Sequence, residues 1–215
     1  MKKMLELLPA LLRGLGITVQ LTVLAAVLGF ALAFISGLGS LSKSSIIRFV
    51  TGVYVEIFRG TSLLVQLFWM FYALPLFGIR LPGMVVGVLA LGMNFGAYGS
   101  EVVRSSIIAV PRGQIEAAIA LNMSPGQRLW RIILPQAWLT MIPPLGNLLI
   151  ELLKGTALVS LITLADLAFQ GFSLRETTGR TTEIYSLLLM IYFVLAFFIT
   201  AGMRWLERRA AMGRS

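Results

Sequence analysis

The stretch Ile17–Leu38 reads ITVQLTVLAAVLGFALAFISGL and contains no charged side chain. A helix that crosses a bilayer needs about 20 consecutive, mainly apolar residues. The run meets that length, so it predicts a membrane-spanning helix.

Four further apolar segments follow the first one along the chain. Composition supports lipid as their solvent, because 58% of the 215 residues are hydrophobic and 13% are charged, against about 45–50% and about 25% in soluble domains. We therefore predict an all-α membrane protein with a single domain, residues 1–215, and about five spans near 17–38, 49–77, 84–103, 137–158 and 185–206.

The fourth apolar region is longer than one simple span, because it continues from about Ala137 to Phe172. Pro143-Pro144 and Lys154-Gly155-Thr156 interrupt it. Either one span is followed by a shorter gating helix, or two half-helices are present. A broken helix at membrane depth is tolerated only where protein or a cavity satisfies its backbone.

The absence of cysteine and histidine excludes several kinds of chemistry. It removes thiol nucleophiles, disulfides, thiolate or imidazole metal sites and a histidine base. We expect no cofactor and no enzymatic activity, since no nucleophile–base pair is present. The segment Gly37–Ser44, GLGSLSKS, is close to a phosphate-binding loop, but Ser42 replaces the required glycine.

The net charge of +9 points to membrane orientation rather than to nucleic acid, because the basic residues lie between and after the apolar segments. Placing the loop from Arg104 to Arg131 inside puts ten basic residues inside and six outside. The inside set is Lys43, Arg48, Arg104, Arg112, Arg128, Arg131, Arg204, Arg208, Arg209 and Arg214, and the outside set is Lys2, Lys3, Arg13, Arg80, Arg175 and Arg180. The excess predicts an outside N-terminus and a cytoplasmic C-terminus.

Polar residues inside spans are costly and are therefore candidates for function. Glu56 and Arg59 are spaced i,i+3, and we favour a structural ion pair over a substrate site. Asn94, Tyr98 and Glu101 form one stripe of the third span, which predicts the lining of a polar pathway. A Glu101–Arg104 pair is an equal alternative. Four residues flank the broken span, where they could gate the pathway or face a binding protein: Glu151, Lys154, Thr156 and Asp166.

The segment Val110–Gln136 reads VPRGQIEAAIALNMSPGQRLWRIILPQ. Gln114–Leu121 is a short helix with small alanines, and Asn122 stands where a left-handed residue would end it. Ser124, Pro125 and Gln127 then predict a capping box that starts a second helix. This slim corner suits insertion into a partner's groove, although an ordinary loop between spans has the same composition.

The corner also resembles the EAA loop of ABC-importer permeases. Other stretches are similar to the polar amino-acid branch of that family, which includes the histidine, glutamine and arginine permeases. They are Arg59-Gly60-Thr61-Ser62-Leu63-Leu64-Val65-Gln66-Leu67, Ala97-Tyr98-Gly99-Ser100-Glu101-Val102-Val103-Arg104, Val110-Pro111-Arg112-Gly113-Gln114 and Lys154-Gly155-Thr156-Ala157-Leu158-Val159-Ser160.

The resemblance implies a multi-pass permease of the bacterial inner membrane with the type I importer fold and its EAA loop at residues 110–136. It implies a second permease subunit, identical or homologous, two ABC ATPase subunits, an extracytoplasmic solute-binding protein and a small polar solute. Nucleic acid is not among the expected partners. The ATPase contacts would be Arg112, Glu116, Ala117, Ala118 and Asn122.

Two positions depart from the family pattern. Asn122 stands where the family has glycine, and asparagine also adopts the left-handed conformation. Gly155-Thr156-Ala157 replaces Asp-Thr-Ser, which removes a carboxylate and a hydroxyl near the expected pathway. An ectoine-like solute therefore stays open beside amino acids.

Two other classes of function compete with the importer. A secondary transporter would use Glu56, Glu101 or Asp166 to couple ions, and a membrane scaffold would move no solute. Transport without an ATPase partner would favour the first, and binding of neither solute nor ATPase the second.

Overall fold

The computed structural model describes residues 8–212, and this part of the chain is built from helices with no β-strand. Lys2, Lys3 and Arg214 of the charge count lie outside the described residues. The helices are α1 Leu8–Ser40, α2 Ser45–Gly60, α3 Leu63–Phe68, α4 Gly83–Ile108, α5 Arg112–Ala120, α6 Pro125–Arg128, α7 Leu134–Gly155, α8 Leu167–Thr178 and α9 Thr181–Met212.

Short irregular helical turns extend three of these helices. A π-helical turn Trp69–Ala73 and a 3-10 turn Leu74–Phe77 continue α3, a π-helical turn Leu129–Ile133 joins α6 to α7, and a 3-10 turn Thr156–Ile162 follows α7. Thr163 then adopts a left-handed conformation with φ 62°, and Asp166 caps α8 by accepting a 2.9 Å hydrogen bond from the Phe169 N–H.

The number of spans agrees with the sequence prediction of about five. Four continuous helical segments are long and apolar enough to cross a bilayer, Leu8–Ser40, Gly83–Ile108, Pro125–Ile162 and Thr181–Ala211. The fifth is a broken pair, Ser45–Gly60 with Leu63–Phe77, bent by 103°. The span expected near 49–77 therefore consists of two helices that meet at Thr61 and Ser62.

The fourth apolar region forms one long helix followed by a shorter one, as in the first of the two predicted arrangements. Helix α7 continues through Pro143 and Pro144 and ends at Gly155, and the shorter helix α8 follows it. The prolines lie inside the helix without ending it, so the break falls at Gly155–Thr163 rather than at the Pro-Pro pair.

The frame of the molecule is the close packing of α1 against α4. A Cβ atom placed on Gly37 of α1 would lie 2.7 Å from Val103 Cβ and 2.9 Å from the Ser100 carbonyl oxygen of α4. Small residues allow such an approach between membrane helices, where dispersion rather than water drives association. The buried core follows this seam, with Leu21, Ala25, Ala33, Ala90, Leu91 and Phe95 among its members.

Candidate functional site

The bend between α2 and α3 would leave the last carbonyls of α2 without partners, because a helix ends with unpaired C=O groups. Side chains take up these carbonyls. The Thr61 hydroxyl donates to the Ile57 oxygen at 2.7 Å. The Phe58 oxygen accepts from Gln66 Nε2 at 3.0 Å and from Asn94 Nδ2 at 3.1 Å. The bend is thus satisfied within the protein, as a membrane interior requires.

Gln66 is the centre of this network. Its side chain is buried, and Nε2 also donates to Thr61 Oγ1 at 2.8 Å and to the Thr61 carbonyl at 3.3 Å. Asn94 Nδ2 reaches Gln66 Oε1 at 3.5 Å, and the Tyr98 hydroxyl reaches the Arg59 carbonyl at 3.5 Å. Two residues of α4 therefore hold the broken span in place.

A cavity of about 300 Å³ opens beside the bend, between α4 and α7. This volume is at the lower end of the range for small-molecule sites, about 300–1,000 Å³, and suits a small solute. Its lining is half polar and half apolar: Thr61, Ser62, Asn94, Tyr98 and Glu151 on one hand, and Leu63, Leu91, Phe95, Leu148 and Leu152 on the other.

Glu151 is the acidic residue in the cavity lining, and its side chain is exposed. Within residues 8–212 it forms no ion pair, because the pairs found there join Arg104 to Glu101, Arg175 to Glu176 and Arg180 to Glu183. A cation lies at the edge of the same site, since the Arg59 guanidinium carbon is 5.3 Å from the centre of the Tyr98 ring. The site therefore offers a free carboxylate and a nearby guanidinium.

The polar stripe predicted on α4 divides in the structure. Asn94 and Tyr98 line the cavity, whereas Glu101 binds Arg104 through two hydrogen bonds of 3.1 and 2.8 Å. The alternative of a Glu101–Arg104 pair is the one observed.

The predicted Glu56–Arg59 pair is wrong. These residues form no ion pair in the described part of the chain, because Arg59 stacks on Tyr98 of another helix instead. Glu56 is exposed and outside the cavity lining.

The candidates Lys154 and Thr156, at the end of α7, also lie outside the cavity lining. Thr156 is fully buried and donates to the Leu153 carbonyl at 2.6 Å, which is a structural contact at the end of α7. Lys154 is exposed on the helix surface. Thr61 and Ser62 were missed as site residues, and Glu151 was noted only as a flanking residue. Two features of the sequence pointed to Thr61 and Ser62, namely their place in the stretch Arg59–Leu67 quoted for the family resemblance and the polar interruption of an apolar segment.

The corner after α4 has the geometry that its sequence predicts. Helix α5 begins at Arg112, two residues before the expected start, and ends at Ala120. Asn122 has φ 54°, in the left-handed region. Ser124 Oγ accepts from the Gln127 N–H at 3.3 Å, and the Ser124 N–H donates to Gln127 Oε1 at 2.9 Å. Both halves of the capping box are therefore present.

The residues expected to touch a partner differ in exposure. Arg112, Glu116, Ala117 and Asn122 are exposed, whereas Ala118 is 2% exposed. Ala118 is corrected from a contact residue to a packing residue, because its side chain is covered by the chain itself.

Comparison with known proteins places these features in a family. The family model described as "Binding-protein-dependent transport system inner membrane component" matches residues 25–212. A probable amino-acid ABC transporter permease protein, y4tF from Sinorhizobium fredii, is 48% identical over 91% of this chain and 84% of its own length. The L-cystine transport system permease protein TcyB from Bacillus subtilis is 40% identical over 94% of this chain and 86% of its own length.

Solved structures of related transporters have the same fold. A chain from a crystal structure described as an amino acid ABC transporter with histidines has a TM-score of 0.90 and 37% identity, covering 96% of this chain and 97% of that one. A chain of the MetNI methionine ABC transporter has a TM-score of 0.80 at 20% identity, covering 94% of this chain and 97% of that one. The second likeness concerns the fold alone.

Replacing Gln66 tests the role of the network at the bend. In Gln66→Leu the Thr61 carbonyl loses its side-chain donor and the Phe58 carbonyl loses one of two. Since an unsatisfied buried polar group costs about 1–3 kcal/mol, we expect a lower midpoint of thermal unfolding for the purified protein. The matched control is Gln20→Leu, at an exposed position of α1. Equal midpoints for the two variants would contradict the role given to Gln66.

Proposed function

This chain belongs to the family of binding-protein-dependent transport system inner membrane components, and we propose that an amino acid crosses the membrane through its cavity beside the bend. The chain is the permease subunit of an ABC importer, so ATP hydrolysis is the work of a partner chain. The observation that carries the proposal is the unpaired Glu151 carboxylate in a cavity of amino-acid size.

The substrate's ammonium group binds Glu151 in this proposal. An ammonium about 4 Å from a carboxylate gains about 4 kcal/mol at an effective dielectric constant of about 20. That is about half of the 8.2 kcal/mol that corresponds to a micromolar dissociation constant. One contact would then supply a large share of the affinity, while the cost of desolvating both ions reduces the net gain.

The substrate's carboxylate has two possible partners near the bend, a hydroxyl donor and a positively charged guanidinium. The Ser62 side chain makes no cap hydrogen bond to α3, so its hydroxyl is available to a ligand. Arg59, stacked on the cavity-lining Tyr98, supplies a positive charge at the edge. A zwitterion therefore has one partner for each charge. An ectoine-like solute is also a zwitterion, so the preference for an amino acid is supported by the relatives named as amino-acid and L-cystine permeases.

The secondary-transporter hypothesis is not favoured, since its ion-coupling carboxylates do not reach the cavity. Glu101 is paired with Arg104, Glu56 is exposed elsewhere, and Asp166 is buried as the cap of α8.

The ATPase partner docks on the exposed face of the α5–α6 corner in our proposal. Arg112, Glu116, Ala117 and Asn122 form this face, and the left-handed Asn122 and the capping box hold its shape. A stiff corner can transmit the closure of two ATPases to the spans, whereas a flexible loop would absorb it.

The orientation of the chain is part of the same proposal. The loop between α1 and α2 and the α5–α6 corner face the cytoplasm, as does the C-terminus, while the N-terminus is outside. The distribution of lysine and arginine supports this arrangement.

Removing the charge of Glu151 tests the substrate site. We expect Glu151→Gln to lower amino-acid uptake by about 10- to 100-fold, because a hydrogen bond to a charged group contributes about 1.5–3 kcal/mol. Uptake is measured in proteoliposomes that hold the permease, its ATPase and the binding protein. Basal ATP hydrolysis should persist. Glu207→Gln, an exposed carboxylate outside this cavity, is the control. Normal uptake by Glu151→Gln would contradict the proposal that this carboxylate binds the substrate.

A bulky side chain on the corner tests the docking face. Ala117→Trp should abolish uptake, because an indole on an exposed helix face blocks close contact with the ATPase. The readout is co-purification of the ATPase together with uptake. The control is Ala31→Trp, at an exposed position of α1. If Ala117→Trp retains both its ATPase and its transport, the corner is not the docking face.

Single cysteines test the orientation directly, because the natural chain has none. Leu76→Cys, at a position 85% exposed, should react with a membrane-impermeant maleimide in intact spheroplasts. Lys43→Cys, in the exposed loop between α1 and α2, should react only after the membrane is permeabilised. The reversed pattern would mean that the chain is inserted the other way.

A further inference from the structure

The apolar half of the cavity has no role in binding the charged ends of a substrate. Its lining residues are Leu63, Leu91, Phe95, Leu148 and Leu152. They come from three helices, α3, α4 and α7, so they enclose a space rather than form one helix's stripe. Such a surface fits the side chain of a bound solute.

Gly155 lies behind two of these leucines. A Cβ atom placed on it would come 3.1 Å from Leu91 Cδ2 and 3.2 Å from Leu63 Cδ2. Ordinary carbon contacts are about 3.5–4.0 Å. Both contact atoms are ends of flexible side chains that line the cavity, so we expect an added methyl group to push them into it.

We propose that this cavity selects amino acids with uncharged, apolar side chains, and that Gly155 sets the largest side chain it admits through the positions of Leu63 and Leu91. The inference rests on the proposed function, in which Glu151 and the polar half bind the charged ends. Gly155 itself touches no substrate and is a positioning residue for the two leucines.

Charged side chains are disfavoured by the same lining. Glu151 is the charged residue among the lining side chains, and the substrate's ammonium uses it. A second ammonium or a carboxylate on the substrate would face leucine and phenylalanine with no partner, and burying an unpaired charge is strongly unfavourable.

The test measures binding of radiolabelled alanine, leucine, phenylalanine, lysine and aspartate to the purified permease–ATPase complex in lipid nanodiscs. The binding protein is left out, so the cavity alone discriminates. We expect leucine to bind at least 10-fold more tightly than lysine or aspartate. Gly155→Ala should weaken phenylalanine about 10-fold more than alanine, the usual order for one methyl group in an apolar pocket.

Two variants accompany Gly155→Ala. Gly202→Ala is the matched control, a helical glycine of α9 whose added Cβ would have no neighbour within 4 Å. It should leave every affinity unchanged. Leu63→Ala removes most of one of the two side chains that Gly155 positions and so enlarges the cavity. It should strengthen phenylalanine relative to alanine and restore phenylalanine binding to the Gly155→Ala chain. This variant decides the question even where Gly155→Ala does not assemble.

The outcomes separate the inference from the proposed function. If no amino acid binds in a way that depends on Glu151, the proposed function fails. If amino acids bind but lysine or aspartate binds as tightly as leucine, the apolar selectivity is wrong. If Gly155→Ala weakens alanine and phenylalanine equally, or Leu63→Ala leaves their ratio unchanged, the size limit is not set by this contact.

Discussion

A helix that bends by 103° inside a membrane must find new partners for its backbone, and this requirement organises the site. The free carbonyls at the end of α2 are taken by Thr61, Gln66, Asn94 and Tyr98. Asn94 and Tyr98 also line the cavity, as do Thr61 and Ser62 at the bend itself. Thr61, Asn94 and Tyr98 therefore both satisfy the bend and supply part of the polar half of the cavity.

Helix α7 connects the proposed docking corner to the proposed substrate cavity. It begins at Leu134, next to the π-helical turn of the corner, and carries Glu151 close to its far end. At 1.5 Å per residue the two positions are about 25 Å apart. A displacement of the corner would thus move the carboxylate wall of the cavity, while the close seam of α1 and α4 keeps the opposite wall in place. In the proposed mechanism, the movement of α7 alone couples the corner to the cavity.

Local features were predictable from the sequence, and features made by several helices were not. The left-handed Asn122 and the Ser124–Gln127 capping box depend on residues a few positions apart, so spacing was enough to predict them. Spacing also offered the Glu101–Arg104 pair, but only as one of two equal alternatives. The expected Glu56–Arg59 pair failed because Tyr98, distant in sequence, attracts the arginine. Glu151 lines the same cavity as Asn94 and Thr61 because of how α7 and α4 are rotated toward the bend, and hydropathy does not record that rotation.

The last helix, α9, shows what the chain leaves to its surroundings. Only 11% of the most apolar stretch of this helix is buried within the described chain. The side chains of Phe193, Phe197 and Phe198 are exposed. Lipid or another subunit must cover that face, and lipid imposes little on a side chain except that it be apolar. Evolution can therefore exchange its outward residues freely among apolar types. The buried Ile184 and Leu188 stay constrained, because they belong to one core cluster with Leu11 and Leu167, and Leu188 also packs against Gly171. Along this helix, positions that face outward should change faster in evolution than buried ones, so the rate of substitution should vary with the helical period of about 3.6 residues.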